Sequence, residues 1–80
     1  MISYLDRITV IPDLCNGKPT IRGKRLTVQT LLAHLASGES YEILLEAFPF
    51  LERQDIVAAL QYASLLADHV SIPLPDKNVA

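Results

Sequence analysis

Apolar residues recur every three or four positions after residue 27, which is the spacing of one face of an α-helix. The apolar face of the first helix consists of Val28, Leu31, Leu32 and Leu35. Thr27 is a suitable N-cap because its hydroxyl can accept a free amide of the first turn, and Gly38 is a suitable C-terminal stop. The pattern predicts a helix that begins after Thr27 and ends before Gly38.

Two more helices are predicted further along the chain. Ser40 can cap the second helix, which ends before Pro49 because proline cannot continue it. The third helix runs from about Arg53 to about His69. One of its faces consists of Ile56, Leu60, Ala63 and Ala67. Three helices of this length, with a short turn between the last two, are typical of the helix-turn-helix plan.

The third helix carries a second apolar stripe, roughly opposite the first. This stripe consists of Ala58, Tyr62, Leu65 and His69. Only one of the two faces can pack on the first two helices, so the other needs a cover. Either the N-terminal strands or the C-terminal tail folds over it, or it is a dimer or partner interface.

The C-terminal tail contains Pro73 and Pro75, which favour an extended backbone. We therefore expect one domain over residues 1–70 and an extended tail over residues 71–80. The tail is either a disordered terminus or a docking segment, in which case Ile72 and Leu74 would contact a partner.

The N-terminal third is broken into short β segments. Residues 7–11 are rich in β-branched side chains and predict a strand that stops at Pro12. Asn16 and Gly17 indicate a turn with left-handed backbone. Residues 20–22 and 25–27 flank Gly23 and Lys24, which predicts a second strand, a tight turn and a return. The expected fold class is therefore mostly α, with three helices preceded by a short β-hairpin segment.

Length and composition limit the function classes. A chain of 80 residues forms one domain, and a small domain that is 50% apolar often hides part of its surface in an oligomer. The net charge of −2 excludes a globally cationic binder of nucleic acid. The single cysteine excludes an internal disulfide and favours a reduced, cytoplasmic setting. We see neither a signal peptide nor an apolar run that spans a bilayer.

Residues suited to catalysis or to metal binding are sparse. A metal site requires several ligands at suitable spacing, whereas His34 and His69 lie on different predicted helices and far apart in sequence. Cys15 has no supporting nucleophile signature and is best explained as a packed or idle thiol. Residues 17–20 (Gly-Lys-Pro-Thr) lack the upstream glycine and the following helix of a phosphate-binding loop. We therefore predict a non-catalytic protein with no cofactor and no metal.

A local cluster of cations is the stronger signal. It consists of Lys18, Arg22, Lys24 and Arg25. Such a cluster either contacts phosphates or forms a solvated or salt-bridged loop. On the third helix, the side chains suited to base edges are Arg53, Gln54 and Gln61. Carboxylates outnumber cations across that helix, so a dimer that uses the basic loop for backbone contact is physically easier than sequence reading by one copy.

Three stretches of the chain resemble one bacterial protein family. Residues 15–28 (Cys-Asn-Gly-Lys-Pro-Thr-Ile-Arg-Gly-Lys-Arg-Leu-Thr-Val) are similar to the signature Cys-Gly-Gly-Lys-Pro-x-Ile-x-Gly-Thr-Arg-Ile-x-Val of domain of unknown function 433. Residues 38–51 and 55–63 look like the second and third motifs of that family. Asn16 departs from the signature in place of a glycine, and Glu52 stands where a threonine usually caps the third helix.

The resemblance implies a homeodomain-like three-helix domain and an antitoxin-like role. Proteins of this kind are often encoded beside a PIN-like nuclease toxin, which they are thought to bind and silence, and many antitoxins also bind their own promoter. Our first hypothesis is such a partner protein, acting as a homodimer, with Arg22 or Arg25 as a cation placed among the carboxylates of the nuclease. The alternative is a DNA-binding regulator without a toxin partner.

Overall fold

The computed structural model describes residues 2–69, with His69 described only as the last residue of its helix. The predictions for residues 70–80, among them Ile72 and Leu74, lie outside these residues. Strand β1 spans Ile8–Val10 and β2 spans Pro19–Ile21, and helices α1, α2 and α3 span Val28–Ala36, Tyr41–Ala47 and Arg53–His69. Short 3-10 turns at Leu5–Arg7 and Cys15–Gly17 precede the two strands. The predicted fold class, three helices behind a β-hairpin, is confirmed.

The two strands pair antiparallel, with Ile8 opposite Ile21 and Val10 opposite Pro19. The second strand ends one residue earlier than predicted, because Arg22 has a φ of +46° and leaves the extended conformation. The predicted return strand was wrong in extent: it is reduced to one bridge between Thr20 and Thr27. After the turn the chain enters the core instead of extending the sheet, since Leu26 is 3% exposed.

The helix ends follow the predicted signals closely. The Thr27 hydroxyl accepts a hydrogen bond from the amide of Thr30 at 3.0 Å, and the Ser40 hydroxyl accepts one from the amide of Ile43 at 3.2 Å. Gly38 has a φ of +94°, the left-handed conformation that ends a helix at low steric cost. Each cap pairs one of the backbone donors that the first turn of a helix leaves free.

The cap at α1 predicts a measurable loss of stability. Thr27→Ala removes the acceptor for the amide of Thr30, so we expect the free energy of unfolding to fall by about 1 kcal/mol in urea titrations. Gln29→Ala is the control, because Gln29 is exposed on the same helix and should change stability very little. An equal loss in both variants would contradict the capping role.

The hydrophobic core draws on all three helices and on β2. Its buried cluster is Ile21, Leu26, Val28, Leu31, Leu44, Leu51, Ile56 and Ala59. Tyr62 and Phe48 are among the partly buried side chains that pack against it. The N-terminal segment also belongs to the fold, because the 3-10 turn at Leu5–Arg7 contacts α3 directly.

The predicted faces of α3 were both partly wrong. Its buried side carries Asp55, Ile56, Ala58 and Ala59, and so lies between the two predicted stripes. Ala58, expected at an interface, is fully buried, and Tyr62 packs against the core. Leu60, expected in the core, is exposed. The reason is that α3 packs on α1, α2 and the hairpin together, and this combined packing direction is not visible in the periodicity of α3 alone.

Candidate functional site

A buried carboxylate ties the hairpin to the start of α3. The Asp55 side chain is 0% exposed. Its Oδ1 accepts hydrogen bonds from Nε of Arg22 at 3.0 Å and from Nη1 of Arg7 at 2.9 Å. Its Oδ2 accepts from Nη2 of Arg22 at 2.9 Å and from the amide of Glu52 at 2.9 Å. The contact with Glu52 is half of a capping box, since a side chain in the first turn reaches back to the amide that precedes the helix.

These contacts also settle the charge state of Asp55. Burial by itself raises the pKa of this carboxyl, but the hydrogen bonds from Arg22, from the Glu52 amide and from Arg7 outweigh burial, and the net pKa lies below its ordinary value. The hydrogen bonding between Arg22 and Asp55 also raises the pKa of Arg22, although desolvation by burial lowers it. The cluster is therefore a fully ionised, fully hydrogen-bonded network, which is the condition under which buried charge is stable.

The depressed pKa of Asp55 predicts acid sensitivity. A carboxylate whose pKa is lower in the folded state than in the unfolded state contributes stability above the unfolded pKa, about 3.9 for aspartate, and this contribution is lost as the pH falls through the folded pKa. We therefore expect the free energy of unfolding to fall steeply below about pH 4. Urea titrations between pH 6 and pH 2 on the wild type and Asp55→Asn measure the effect. A fall of equal size in both would assign it to other carboxylates.

The predicted basic cluster is only partly available for phosphate. The guanidinium of Arg22 is hydrogen-bonded to Asp55, and its Nη2 also donates to the carbonyl of Phe50 at 2.6 Å. These contacts within the domain disfavour Arg22 as a contact to nucleic acid or to the carboxylates of a nuclease, and that assignment stays a prediction. Lys24 lies over the ring of Phe50 at 5.9 Å, and Lys18 and Arg25 are exposed.

The residues assigned to base reading do not form one free surface. Arg53 pairs with Glu42 and lies over the ring of Tyr41 at 5.6 Å. Gln61 holds the N-terminal segment: its Oε1 accepts from the amide of Tyr4 and its Nε2 donates to the carbonyl of Ile2, both at 2.8 Å. Gln54 is exposed. The outward side of α3, which would enter a major groove, is thus partly covered by residues 2–5.

We call the cleft between that N-terminal segment and α3 the outer groove. It has a volume of about 810 Å³ and is lined by Ile2, Ser3, Tyr4, Leu5, Val57, Leu60, Gln61, Ser64 and Leu65. Leu60 and Leu65 are 41% and 48% exposed. The cover at this groove is the segment that precedes β1, and not the N-terminal strands that were predicted, and it leaves two large apolar side chains in contact with solvent.

A second apolar cleft, the inner groove, lies between α1 and α3. It has a volume of about 900 Å³ and is lined by Lys18, Pro19, Thr27, Val28, Gln29, Leu32, Tyr62, Ala63, Leu66 and Ala67. Leu66 is 46% exposed, although it lies on the same side of α3 as the buried Ala59. The core-facing side of α3 therefore continues past the body of the domain without a cover among the described residues.

A third, more polar pocket lies beside the turn at Cys15–Gly17. It has a volume of about 630 Å³, and Cys15, Lys18, His34 and Glu39 are among its lining residues. His34 Nδ1 lies 2.8 Å from a carboxylate oxygen of Glu39, and the Cys15 thiol is half-buried and free. Within the described part of the chain, no three side chains are grouped so as to hold a metal ion.

Sequence reasoning missed the most highly connected residue of this region. Asp55 was counted only as negative charge on α3, and Arg7 only as part of a strand. A local signal existed, because Asp55 stands at the third helical position, where an acidic side chain can complete a capping box. Its two arginine partners come from 33 and 48 positions away, and no local pattern predicts that pairing.

The family follows from the comparison with known sequences. The model of the family described as "Protein of unknown function (DUF433)" matches residues 8–63. The chain belongs to the DUF433 family. The match begins at β1 and ends in the third turn of α3, so it contains the Asp55–Arg22 pair and leaves out the last turns of α3.

Two relatives show how the domain recurs. The chain is 41% identical over 56 residues to "Uncharacterized protein y4eO" of Sinorhizobium fredii, a match that covers 70% of this chain and 25% of that protein. It is similar to the crystal structure of a DUF433 member protein from Anabaena variabilis, with a TM-score of 0.73 and 32% identity, over 79% of this chain and 62% of that one. The chain thus spans about a quarter of the length of the first relative. Within residues 2–69, no helix is long and apolar enough to cross a membrane.

Proposed function

We propose that this DUF433 protein is a non-catalytic, cytoplasmic binding module of the antitoxin type, which associates as a homodimer with a PIN-like nuclease encoded nearby and neutralises it. The observation that carries the proposal is the pair of exposed leucines, Leu60 and Leu65, at the outer groove of α3. Two large apolar side chains left exposed along one groove of a small domain favour a contact with another protein.

The chemistry of the outer groove favours a protein partner over nucleic acid. Its lining is dominated by apolar side chains and includes no lysine or arginine among the described residues. A phosphate backbone requires cations at its contact surface, whereas the centre of a protein interface is depleted of charge and rich in large apolar side chains. The groove therefore suits an apolar element of another chain.

Neutralisation of a nuclease can follow from steric cover alone, or from a cation inserted among the metal-binding carboxylates of the nuclease. Arg25 is the better candidate for the second route, because it is exposed in the loop between β2 and α1, whereas Arg22 is held by Asp55. A guanidinium at this place can pair with a carboxylate through two parallel hydrogen bonds. Arg25→Ala would then weaken inhibition without preventing association.

The test is co-expression with the product of the adjacent gene. We expect the two proteins to co-purify at micromolar concentration and the nuclease activity to fall in the complex. Failure to associate, measured by analytical size exclusion with both proteins folded, would refute the proposal. Association without inhibition would retain the binding module and remove the antitoxin role.

A second candidate function is binding to promoter DNA. Lys18, Lys24 and Arg25 are exposed on loops at the hairpin side of the domain, which suits contacts to phosphates. Base reading by α3 is disfavoured by the N-terminal cover at Gln61. If the protein has this function, its affinity for DNA should fall steeply as the salt concentration rises, and Arg25→Ala should lower that affinity. No mobility shift with the upstream DNA at low salt would exclude it.

A further inference from the structure

The inner groove continues the core along α3, and no residue among 2–69 covers it. Ala59, Tyr62 and Leu66 follow one another at spacings of three and four on α3 and so share one side of the helix. Ala59 is fully buried and Tyr62 is half-buried, while Leu66 is nearly half exposed. Across from them, Leu32 of α1 lines the opposite wall. The geometry calls for an apolar occupant that starts near the C-terminal end of α3.

The chain itself carries a segment of the required chemistry directly after α3. Residues 72–75 read Ile-Pro-Leu-Pro and are all apolar. Proline has no backbone N–H, so the two prolines reduce the number of donors that lose hydrogen bonds to water in an apolar groove. The segment is therefore less costly to bury than most extended peptides of four residues.

The length of this segment also fits. The α3 residues that line the inner groove run from Tyr62 to Ala67, a rise of about 8 Å at 1.5 Å per residue. An extended segment advances about 3 Å per residue, so four residues that run back along α3 would span that distance with some to spare. Asp76 would then emerge beyond the apolar lining.

Charge complementarity gives a third, independent argument. Lys18 is the one charged side chain in the lining of the inner groove, within the described part of the chain. It is exposed, and no described carboxylate pairs with it. Asp76 is the first charged residue after His69, directly following the apolar run. A docked tail would bring this pair of opposite charges to the rim of the same cleft.

We propose that residues 72–76 of the same chain occupy the inner groove, with Ile72 and Leu74 against Leu32, Tyr62 and Leu66 and with Asp76 facing Lys18. The tail would then act as an internal strap that completes the core of the monomer. The outer groove on the opposite side of α3 would remain the surface for a second protein. The docking of the tail therefore does not depend on the proposed partner contact.

The experiment is an NMR comparison of the full chain with its Leu74→Ser variant. We expect chemical-shift changes at Leu32, which is far from position 74 in sequence, and at Tyr62, Ala63 and Leu66. We also expect Tm to fall by about 4–8 °C, the shift that a modest loss of stability causes in a domain of this size. Val79→Ser is the matched control, because it makes a similar change in the tail outside the docking segment. It should leave the groove signals and Tm unchanged.

The charge pair has its own test and does not depend on apolar contacts. Asp76→Lys should shift the groove signals toward those of Leu74→Ser, and the double variant Lys18→Asp with Asp76→Lys should restore them. Shifts confined to residues 68–80 in every variant would overturn the proposal. Groove shifts that grow with protein concentration would assign the bound tail to a second copy, and would overturn the intramolecular strap.

Discussion

Asp55→Ala should lower the free energy of unfolding by about 3–5 kcal/mol, a large share of the total stability of an 80-residue domain. The variant leaves the guanidinium of Arg22 without its bidentate partner and removes one of the two carboxylates that pair with Arg7. It also removes the acceptor for the amide of Glu52 at the start of α3. Breaking a buried ion pair from one side costs more than the pair contributes, because an uncompensated charge stays behind.

The loss should be read by urea unfolding at pH 7, where Asp55 is ionised in the wild type. Asp68→Ala is the matched control, since Asp68 is exposed on the same helix and should shift stability very little. If Asp55→Ala does not fold, Asp55→Asn still tests the argument, because the amide keeps the shape and one acceptor but loses the charge. An Asn variant as stable as the wild type would show that the ion pair contributes nothing measurable.

The contacts of Asp55 with Arg22 also stabilise a strained backbone conformation at the hairpin turn. Arg22 has a φ of +46°, a left-handed conformation that costs a non-glycine residue roughly 1 kcal/mol. The next residue, Gly23, has a φ of +69° and adopts it freely. The bidentate contact with Asp55 and the bond to the Phe50 carbonyl hold Arg22 in this conformation. The hairpin and α3 therefore stabilise each other across the domain.

Local signals were enough to predict the helices. The hydroxyl caps at Thr27 and Ser40, the glycine at position 38 and the proline at position 49 each act through bonds or sterics within four residues. The structure places the helix starts at Val28, Tyr41 and Arg53, next to the predicted caps and boundary. Such features could be predicted because the physical cause and the sequence signal lie in the same short stretch.

The candidate surfaces could not be predicted in the same way. The side of α3 that is buried depends on how α1, α2 and the hairpin are arranged around it, so the two apolar stripes read from periodicity were each half right. Ala58 had been assigned to an interface and is core, whereas Leu60 had been assigned to the core and is surface. Leu65 was predicted to contact a partner; it is exposed, and its place at an interface stays a prediction.

The position of the N-terminal segment favours a protein partner over DNA as the ligand of α3. Residues 2–5 lie on the outward side of α3 and are held there by both ends of the Gln61 amide. A helix that reads DNA bases needs its outward side free of other parts of the chain and cations beside it. Here the nearby guanidiniums of Arg7 and Arg53 are both paired with carboxylates. Among the described residues, this side of the domain therefore presents exposed apolar side chains, which suit a protein partner better than DNA.

The double variant Leu60→Asp with Leu65→Asp should raise the Kd for the proposed nuclease partner by about 100-fold or more, the size expected when central apolar anchors of an interface are replaced by charge. Both leucines are more than 40% exposed, so folding should be nearly unaffected and circular dichroism should match the wild type. The measurement is isothermal titration calorimetry against the purified partner.

Ile43→Asp is the matched control for that variant, because Ile43 is an equally apolar and exposed side chain, at 52%, but lies on α2. The wild-type Kd should persist in Ile43→Asp. If Ile43→Asp loses binding and the double leucine variant retains it, the partner contacts α2 and the outer groove is not the docking surface. Leu65→Asp alone adds the same single charge as Ile43→Asp, so a difference between these two single variants reports the place of the contact and not the general effect of added charge.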